Sequence, residues 1–406
     1  MPTLGERIRK LRKEKNLTLA ALAGDTLTKG MLSLIENNKA NPSMDSLNYI
    51  AKQLEVDPAE LLEEVSSREL TELANKVEKL FNSTEQTIEK ICEEVIFLIN
   101  PYIDRLNNSY PSAKLLDFYG RAMYFSKVEG WELYTDRAAT LYEELYIAQR
   151  RVKIAIFRSF VHTTAYQYNS AIETLQKERA IIEKRFTVLD PMARLDLDYT
   201  EASTLFSIGN AERALEIIYN SIQFSIEQGI LYRMEALYRL SAFYMMMTGD
   251  NEKFLYYIKK LELYDELVEN EDIFAPVQYI KIHYLTTYQY AFEEALSLLE
   301  RYDYAKHPIR LQFYNLEKGK ALLGLKKYDE ALHFLKEATF SDPLIHPFDL
   351  SLQYTGDSYL ALCYQALGDK QQAFKHAKIA YNRIEILPAT PYKDFIIETY
   401  EKIRSS

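Results

Sequence analysis

Cysteine is nearly absent: of 406 residues only Cys92 and Cys363 carry a thiol, far apart in the chain. That excludes a disulfide scaffold and a thiolate metal cluster. The six histidines, His162, His283, His307, His333, His346 and His376, are scattered and none falls in an HExxH frame. Without that frame or cysteine partners at zinc spacing, they give no metal site. His307 and His346 each precede a proline, which helix termination explains. GxxxxGK[ST], GxGxxG and GxSxG are missing, so no phosphate loop, dinucleotide fingerprint or nucleophile elbow is available. Glu143-Glu144 and Glu293-Glu294 are adjacent on helical stretches and diverge, as solvated faces do. Neither an enzyme nor a bound cofactor or metal is expected. No apolar run is long enough to span a bilayer, and no basic-then-apolar leader opens the chain. A cytoplasmic protein without membrane contact is the expectation.

What is present is 48% hydrophobic and 27% charged, the balance of a folded chain. The length exceeds one ordinary core, so several units or a repeat array are expected. Leu, Ala, Glu, Lys and Tyr recur at helical spacing and no alternating strand pattern competes, which predicts an all-α protein. Net charge is −10 but unevenly placed. Residues 6 to 15 hold Arg7, Arg9, Lys10, Arg12, Lys13 and Lys15 against Glu6 and Glu14, a local +4. A basic face on an acidic chain suits docking to phosphate without indiscriminate binding.

The first 64 residues read as five short helices. Leu4, Ile8 and Leu11 give the first an apolar stripe and leave its arginines outside. Asn16 ends it. Thr18 can cap a second helix whose Leu19, Leu22 and Ala23 face inward. Gly24-Asp25-Thr26 forms a turn, and Thr28 caps a third helix with Met31 or Leu32, Leu34 and Ile35 on its apolar side. Pro42-Ser43 closes the next loop, Leu47, Ile50, Ala51 and Leu54 place the fourth helix, and Asp57-Pro58-Ala59-Glu60 starts the fifth.

This order resembles the lambda-repressor-like, Xre-type helix-turn-helix family over about residues 4 to 62. The resemblance rests on the basic first helix, Ser33-x-Ile35-Glu36-Asn37, the Pro42-Ser43 loop and the Ile50-Ala51 helix. It implies that the third helix enters the major groove. Lys29 and Met31 are then the base-edge candidates, followed by Ser33 and Leu34; Thr18, Thr28, Asn37, Asn38 and Lys39 complete the DNA-contacting set, several of them placed for phosphate. Two positions depart from the family pattern: Leu19 stands where glutamine is usual and Thr26 where glycine is usual. Gly24 or Gly30 then supplies the backbone freedom that Thr26 lacks.

After Glu64, Val65-Ser66-Ser67-Arg68 marks a boundary, and residues 65–111 read as a connecting helical segment broken at Pro101 and around Asn107 to Ser112. Residues 112–406 read as helical hairpins. In the clearest, Gly319, Tyr328, Ala331, Leu335, Ala338 and Pro343 resemble a tetratricopeptide repeat, in which small residues let paired helices approach. Further copies centre on Ala214, Ala295 and Ala373; the step from Ala295 to Ala331 is 36 residues and from Ala331 to Ala373 it is 42. The expected fold is a five-helix helix-turn-helix domain followed by a tetratricopeptide-like right-handed helical solenoid. Mapping the first helix of each hairpin onto a concave surface selects Tyr199, Tyr284, Tyr288, Lys320 and Gln365 as peptide contacts. Tyrosine, present 32 times, offers apolar area and a hydroxyl at low entropy cost.

The whole arrangement resembles the peptide-pheromone-sensing regulators of Gram-positive bacteria. That resemblance implies a homodimer on palindromic double-stranded DNA, controlled by a short signalling peptide of the kind used in quorum sensing. The alternative is a tetratricopeptide adaptor whose main role is protein–protein interaction.

Overall fold

A computed structural model describes residues 3–62, 67–83, 86–268, 271–301, 308–338 and 344–405. Of the expected boundary Val65-Ser66-Ser67-Arg68, the first two residues lie outside those described and the last two open a helix; His307 and the repeat proline Pro343 also lie outside. The described residues are helical or in turns, with no strand among them.

Side-chain caps start four of the first five helices. Thr3 precedes α1 (Leu4–Glu14) and shares a capping box with Glu6. Thr18 and Thr28 accept from Ala21 N–H and Met31 N–H ahead of α2 (Leu19–Ala23) and α3 (Lys29–Glu36). Ser43 does the same for α4 (Met44–Gln53), and α5 (Pro58–Leu62) begins on its proline. Each such cap contributes about 1 kcal/mol, which matters for helices of five to eleven residues that could not persist alone. Ile8, Leu22, Leu32, Ile35, Leu47, Ile50, Leu54 and Leu61 meet in one core from which water is excluded. Asn16, in the left-handed region, ends α1 as expected.

Two inward assignments need correction. Leu32 and Ile35 are buried, but Leu34 and Met31 are exposed, because the 100° step of the helix turns them away from the core. Nor do all the arginines of α1 face outward. Arg12 donates from Nε and Nη2 to both oxygens of the buried Glu36 (2.6 and 2.9 Å) and from Nη1 to the Leu17 carbonyl. Arg7 donates to the Leu61 carbonyl. Both arginines fasten α1 to later elements.

The chain divides into two units, Met1–Ile154 and Ala155–Ser406. The first continues with α6 (Ser67–Phe81), α7 (Ile88–Ile99), a 3-10 turn (Asn100–Arg105), α8 (Tyr110–Phe125) and α9 (Trp131–Glu144), and the division falls inside α10 (Ala148–Thr164). Leu70, Val77, Cys92, Val95, Leu116 and Tyr142 are buried in a second core of this unit.

The second unit is built from repeated hairpins: α11 (Tyr168–Arg185), α12 (Pro191–Ser207), α13 (Ala211–Gln228), α14 (Met234–Thr248), α15 (Asn251–Val268) and α16 (Glu271–Tyr284). A π-helical turn (Leu285–Gln289) follows. It leads to α17 (Phe292–Glu300), α18 (Pro308–Gly324), α19 (Tyr328–Glu337), α20 (Pro347–Ala366), α21 (Lys370–Ile384) and α22 (Pro391–Arg404). Within this unit one turn geometry recurs at six of the described positions. Tyr166, Gly209, Gly249, Tyr290, Lys326 and Gly368 all have positive φ, and a helix begins two residues after each. Five residues after each stands a buried Ala171, Ala214, Phe254, Ala295, Ala331 or Ala373. The facing helix of a hairpin can be small as well: a Cβ on Gly319 of α18 would lie 2.5 Å from Leu335 Cγ of α19. The four sequence-identified alanines are therefore in register, and the structure adds the copies at Ala171 and Phe254.

Both thiols are buried. Burial pushes Cys92 up to about 11, and it raises Cys363, which lies against the Tyr328 carbonyl.

Candidate functional site

On α3 the buried side is Leu32, Ile35 and Glu36, so the opposite side carries Gly30, Ser33 and Leu34, flanked by Lys29 and Met31. Lys29, Met31 and Leu34 are exposed and Ser33 is half-buried. Thr18 and Thr28 are exposed at their helix starts with their hydroxyls engaged as caps. Asn37 donates from its amide to the Ser33 carbonyl (2.7 Å), closing α3. Asn38 has φ +57° and accepts from Gly5 N–H through Oδ1 (3.2 Å), so that side-chain oxygen joins α3's end to α1. Lys39 is exposed beyond it.

Of the two glycines that could relieve the turn before α3, Gly24 does so, with φ +51°. Gly30 has no positive φ, and the nearest atom to its Cβ position is Thr28 Oγ1 at 4.0 Å, an unstrained contact. A glycine in the outer face of a helix costs about 1 kcal/mol relative to alanine, and it lets another surface approach the backbone. Helical angle alone would have singled it out from the sequence. The exposed cations of α1 are Arg9, Lys10 and Lys13, whereas Lys15 pairs with Glu55 at 2.5 Å.

In the second unit, Tyr288 and Lys320 line one cavity of about 320 Å3 with His283, Thr287, Tyr359 and Tyr392. Tyr199 lines another of about 260 Å3 with Arg239, Phe243, His346, Phe348 and Tyr392. Tyr392 and Leu352 belong to both walls. A broader cleft of about 490 Å3 lies among Tyr166, Asn169, Ser207 and Pro388. Tyr284 is on neither of the first two walls: its ring packs 4.3 Å from Phe254 and its hydroxyl donates to Asn251 (2.9 Å). Gln365, half-buried near the end of α20, is also away from them.

Beneath the 320 Å3 cavity lies a buried polar network that sequence reading missed. Glu317 is fully buried and accepts from His283 Nδ1 (2.7 Å), Lys320 Nζ (2.7 Å) and the Thr286 hydroxyl. A carboxylate can only accept here, so Nδ1 carries the imidazole proton and Nε2 accepts from the Tyr392 hydroxyl (2.8 Å). Lys320 also donates to Thr287 (2.5 Å). Burial by itself would raise Glu317, but Lys320 and His283 outweigh it and hold the carboxyl at about 2. Burial lowers His283 and Lys320, with the lysine charge lowering His283 further. The partners sit 34 and 109 residues from His283 in the chain, which is why isolated histidine spacing gave no sign of them. The π-helical turn that supplies Thr286, Thr287 and Tyr288 is a rare local geometry that recurs at functional sites.

Residues 5–67 match the family model described as a helix-turn-helix domain, and the N-terminal part of the chain is such a domain. Among solved structures, the chain is similar to PlcR of Bacillus thuringiensis, determined in complex with the peptide PapR7 and DNA. Identity is 18%, covering 66% of this chain and 96% of that one, with a TM-score of 0.35. It is also similar to the competence regulator ComR of Streptococcus vestibularis in complex with its cognate signalling peptide XIP. There identity is 19%, covering 67% of this chain and 95% of that one, with a TM-score of 0.35. No curated protein matches the sequence. Among the described residues, no helix is long and apolar enough to cross a membrane.

Proposed function

We propose that this protein is a sequence-specific DNA-binding transcriptional regulator whose repeat unit binds a short peptide, and that it acts as a homodimer on palindromic sites. The observation that carries the reading is the two-sided α3 in a helix-turn-helix domain: Leu32 and Ile35 anchor it while Lys29, Gly30, Met31, Ser33 and Leu34 face out. Lys29 supplies a donor for base or phosphate acceptors, and Met31 and Leu34 supply apolar contacts of the kind a thymine methyl accepts. Thr18, Thr28, Asn37 and Lys39 would lie along the backbone, with Asn38 setting the loop's shape. Two domains about one helical turn apart would read a palindrome. On the ligand side the reading is supported by two neighbouring aromatic cavities with a few convergent polar groups, the usual make-up of a binding site. A peptide changes DNA binding only by preferring one arrangement of the protein over another.

Genome-wide mapping of DNA bound by the full chain supplies the operator; anisotropy titrations on that fragment test the face. Lys29→Ala is expected to weaken binding by about tenfold or more if it reads a base, and Lys39→Ala to lower the salt slope by about one. Gly30→Phe is expected to abolish specific binding with helicity unchanged, by holding the duplex off the backbone. Retained wild-type affinity in Gly30→Phe would sink the assignment of this face.

A further inference from the structure

We infer that the cavity above the His283–Glu317–Lys320 network receives the C-terminal residue of a linear peptide, with its free carboxylate on Lys320 and a bulky apolar side chain against the aromatic wall. This rests on the peptide reading above and specifies which end of the ligand enters which cavity.

The polar floor has a direction. Lys320, His283, Thr286 and Thr287 line the cavity, whereas Glu317 lies behind them and is not on its wall. The ion pair therefore presents its positive end to the cavity, and a carboxylate arriving there completes an alternation of charge. Lys320 also has a proton to give. Its Nζ donates to Glu317 and Thr287, while the third neighbour, His283 Nδ1 at 3.3 Å, already spends its own proton on Glu317 and offers no lone pair. The third ammonium hydrogen thus has no lone-pair acceptor in the network and meets only the Tyr359 ring, 5.5 Å away at its centroid, which is itself part of the cavity wall. An incoming oxygen would make a charge-assisted bond in a place from which water is largely excluded, where such bonds are strongest.

The remaining wall is aromatic: Tyr288, Tyr290, Phe292, Tyr359, Tyr392 and Phe395. About 320 Å3 is at the lower end of the roughly 300–1,000 Å3 range of ligand pockets. It suits one residue with a large side chain, not a whole peptide. The chain's preceding residues have somewhere to go, because Tyr392 and Leu352 are also wall residues of the 260 Å3 cavity that holds Tyr199.

The test uses the full-length protein and two heptapeptide libraries, randomised except for a C-terminal Phe, Leu or Trp. One library ends in a free acid and the other in an amide; 3-phenylpropionate serves as a small-acid probe. The free-acid peptides are expected to be retained at least about tenfold better than the amides, the weight of one hydrogen bond to a charged group. Glu317→Gln/Lys320→Met, which removes both charges together and so avoids stranding one, is expected to abolish that preference while its thermal unfolding stays cooperative. Lys320→Arg is expected to keep part of it. Equal retention of acids and amides would overturn the carboxylate subsite and leave the peptide reading standing. Binding of 3-phenylpropionate with no peptide retained would assign the cavity to a small acid and overturn the peptide terminus. Retention of neither library nor probe would overturn both readings.

Discussion

Glu317→Ala is expected to destabilise the repeat unit by about 3–5 kcal/mol, the cost of removing one member of a buried ion pair. The substitution leaves the buried Lys320 without its counter-ion, with only neutral neighbours such as the Thr287 hydroxyl, the His283 ring and the Tyr359 ring, and takes away the acceptor that fixes the His283 tautomer. Glu317→Gln/Lys320→Met is expected to cost far less, since neither side chain then carries an uncompensated charge. Chemical denaturation monitored by circular dichroism, with hydrogen exchange to locate the loss between residues 155 and 405, measures both. If the losses from Glu317→Gln and Lys320→Met measured singly add up to that of the double substitution, the pair is not coupled.

The same network sets an acid limit. His283 has a folded-state pKa below its ordinary 6.5, so below that pH the unfolded chain binds a proton that the folded chain refuses. Glu317 sits at about 2 against an ordinary 4.5. Its contribution is complete above about 4.5 and lost as pH falls toward 2. Both signs agree, and stability should fall in two stages on acidification, first below 6.5 and then below 4.5. His283→Gln is expected to flatten the first stage. A melting temperature independent of pH between 6.5 and 4.5 would contradict the buried neutral imidazole.

The second large effect is expected at Gly5. Helix propensity alone would make Gly5→Ala stabilising by about 1 kcal/mol. Its Cβ, however, would lie 2.0 Å from the Ile35 carbonyl oxygen and 2.9 Å from the Glu36 carbonyl carbon. Backbone atoms cannot rotate away, so α1 must lift from α3 and open the Ile8–Leu32–Ile35 contact. Overpacking of this kind costs about 1–3 kcal/mol, and Gly5→Val should reach or pass the upper end. The expected result is loss of exchange protection across residues 4–62 and loss of DNA binding, with the protection of residues 155–405 retained. Unchanged protection in the first helices would mean that α1 and α3 do not approach as described.

These cases show why some features were legible in the sequence and others were not. Caps were readable because Thr18, Thr28 and Ser43 act on N–H groups three residues away. Core stripes were readable because Ile8, Leu32, Ile35 and Leu47 keep helical periodicity. The hairpin array was half readable. Gly209, Gly249 and Gly368 announce left-handed turns, but Tyr166, Tyr290 and Lys326 adopt the same geometry without glycine, at a cost of about 1–2 kcal/mol each. The copy at Ala171 carries its signal in spacing alone: Tyr168, Ala171 and Leu175 repeat the steps of Tyr328, Ala331 and Leu335. Arg12 looked like part of a solvent-facing basic stripe because its partner, Glu36, is 24 residues away. The His283 network was invisible for the same reason, being assembled from four separate helical segments. Of the tyrosines and other contacts chosen by repeat position, Tyr199, Tyr288 and Lys320 reach cavity walls, whereas Tyr284 is spent on Phe254 and Asn251. Position in a hairpin fixes a side of the helix, not what stands opposite.

The two buried sulfurs have a practical consequence. Cys92 belongs to the core of the first unit and Cys363 to a core of the second, and each thiol is shifted away from its reactive anion. An alkylating reagent can reach either one only when the surrounding helices part. Peptide mapping after timed labelling would therefore clock the breathing of each half separately in the unaltered protein, with and without DNA or candidate ligand.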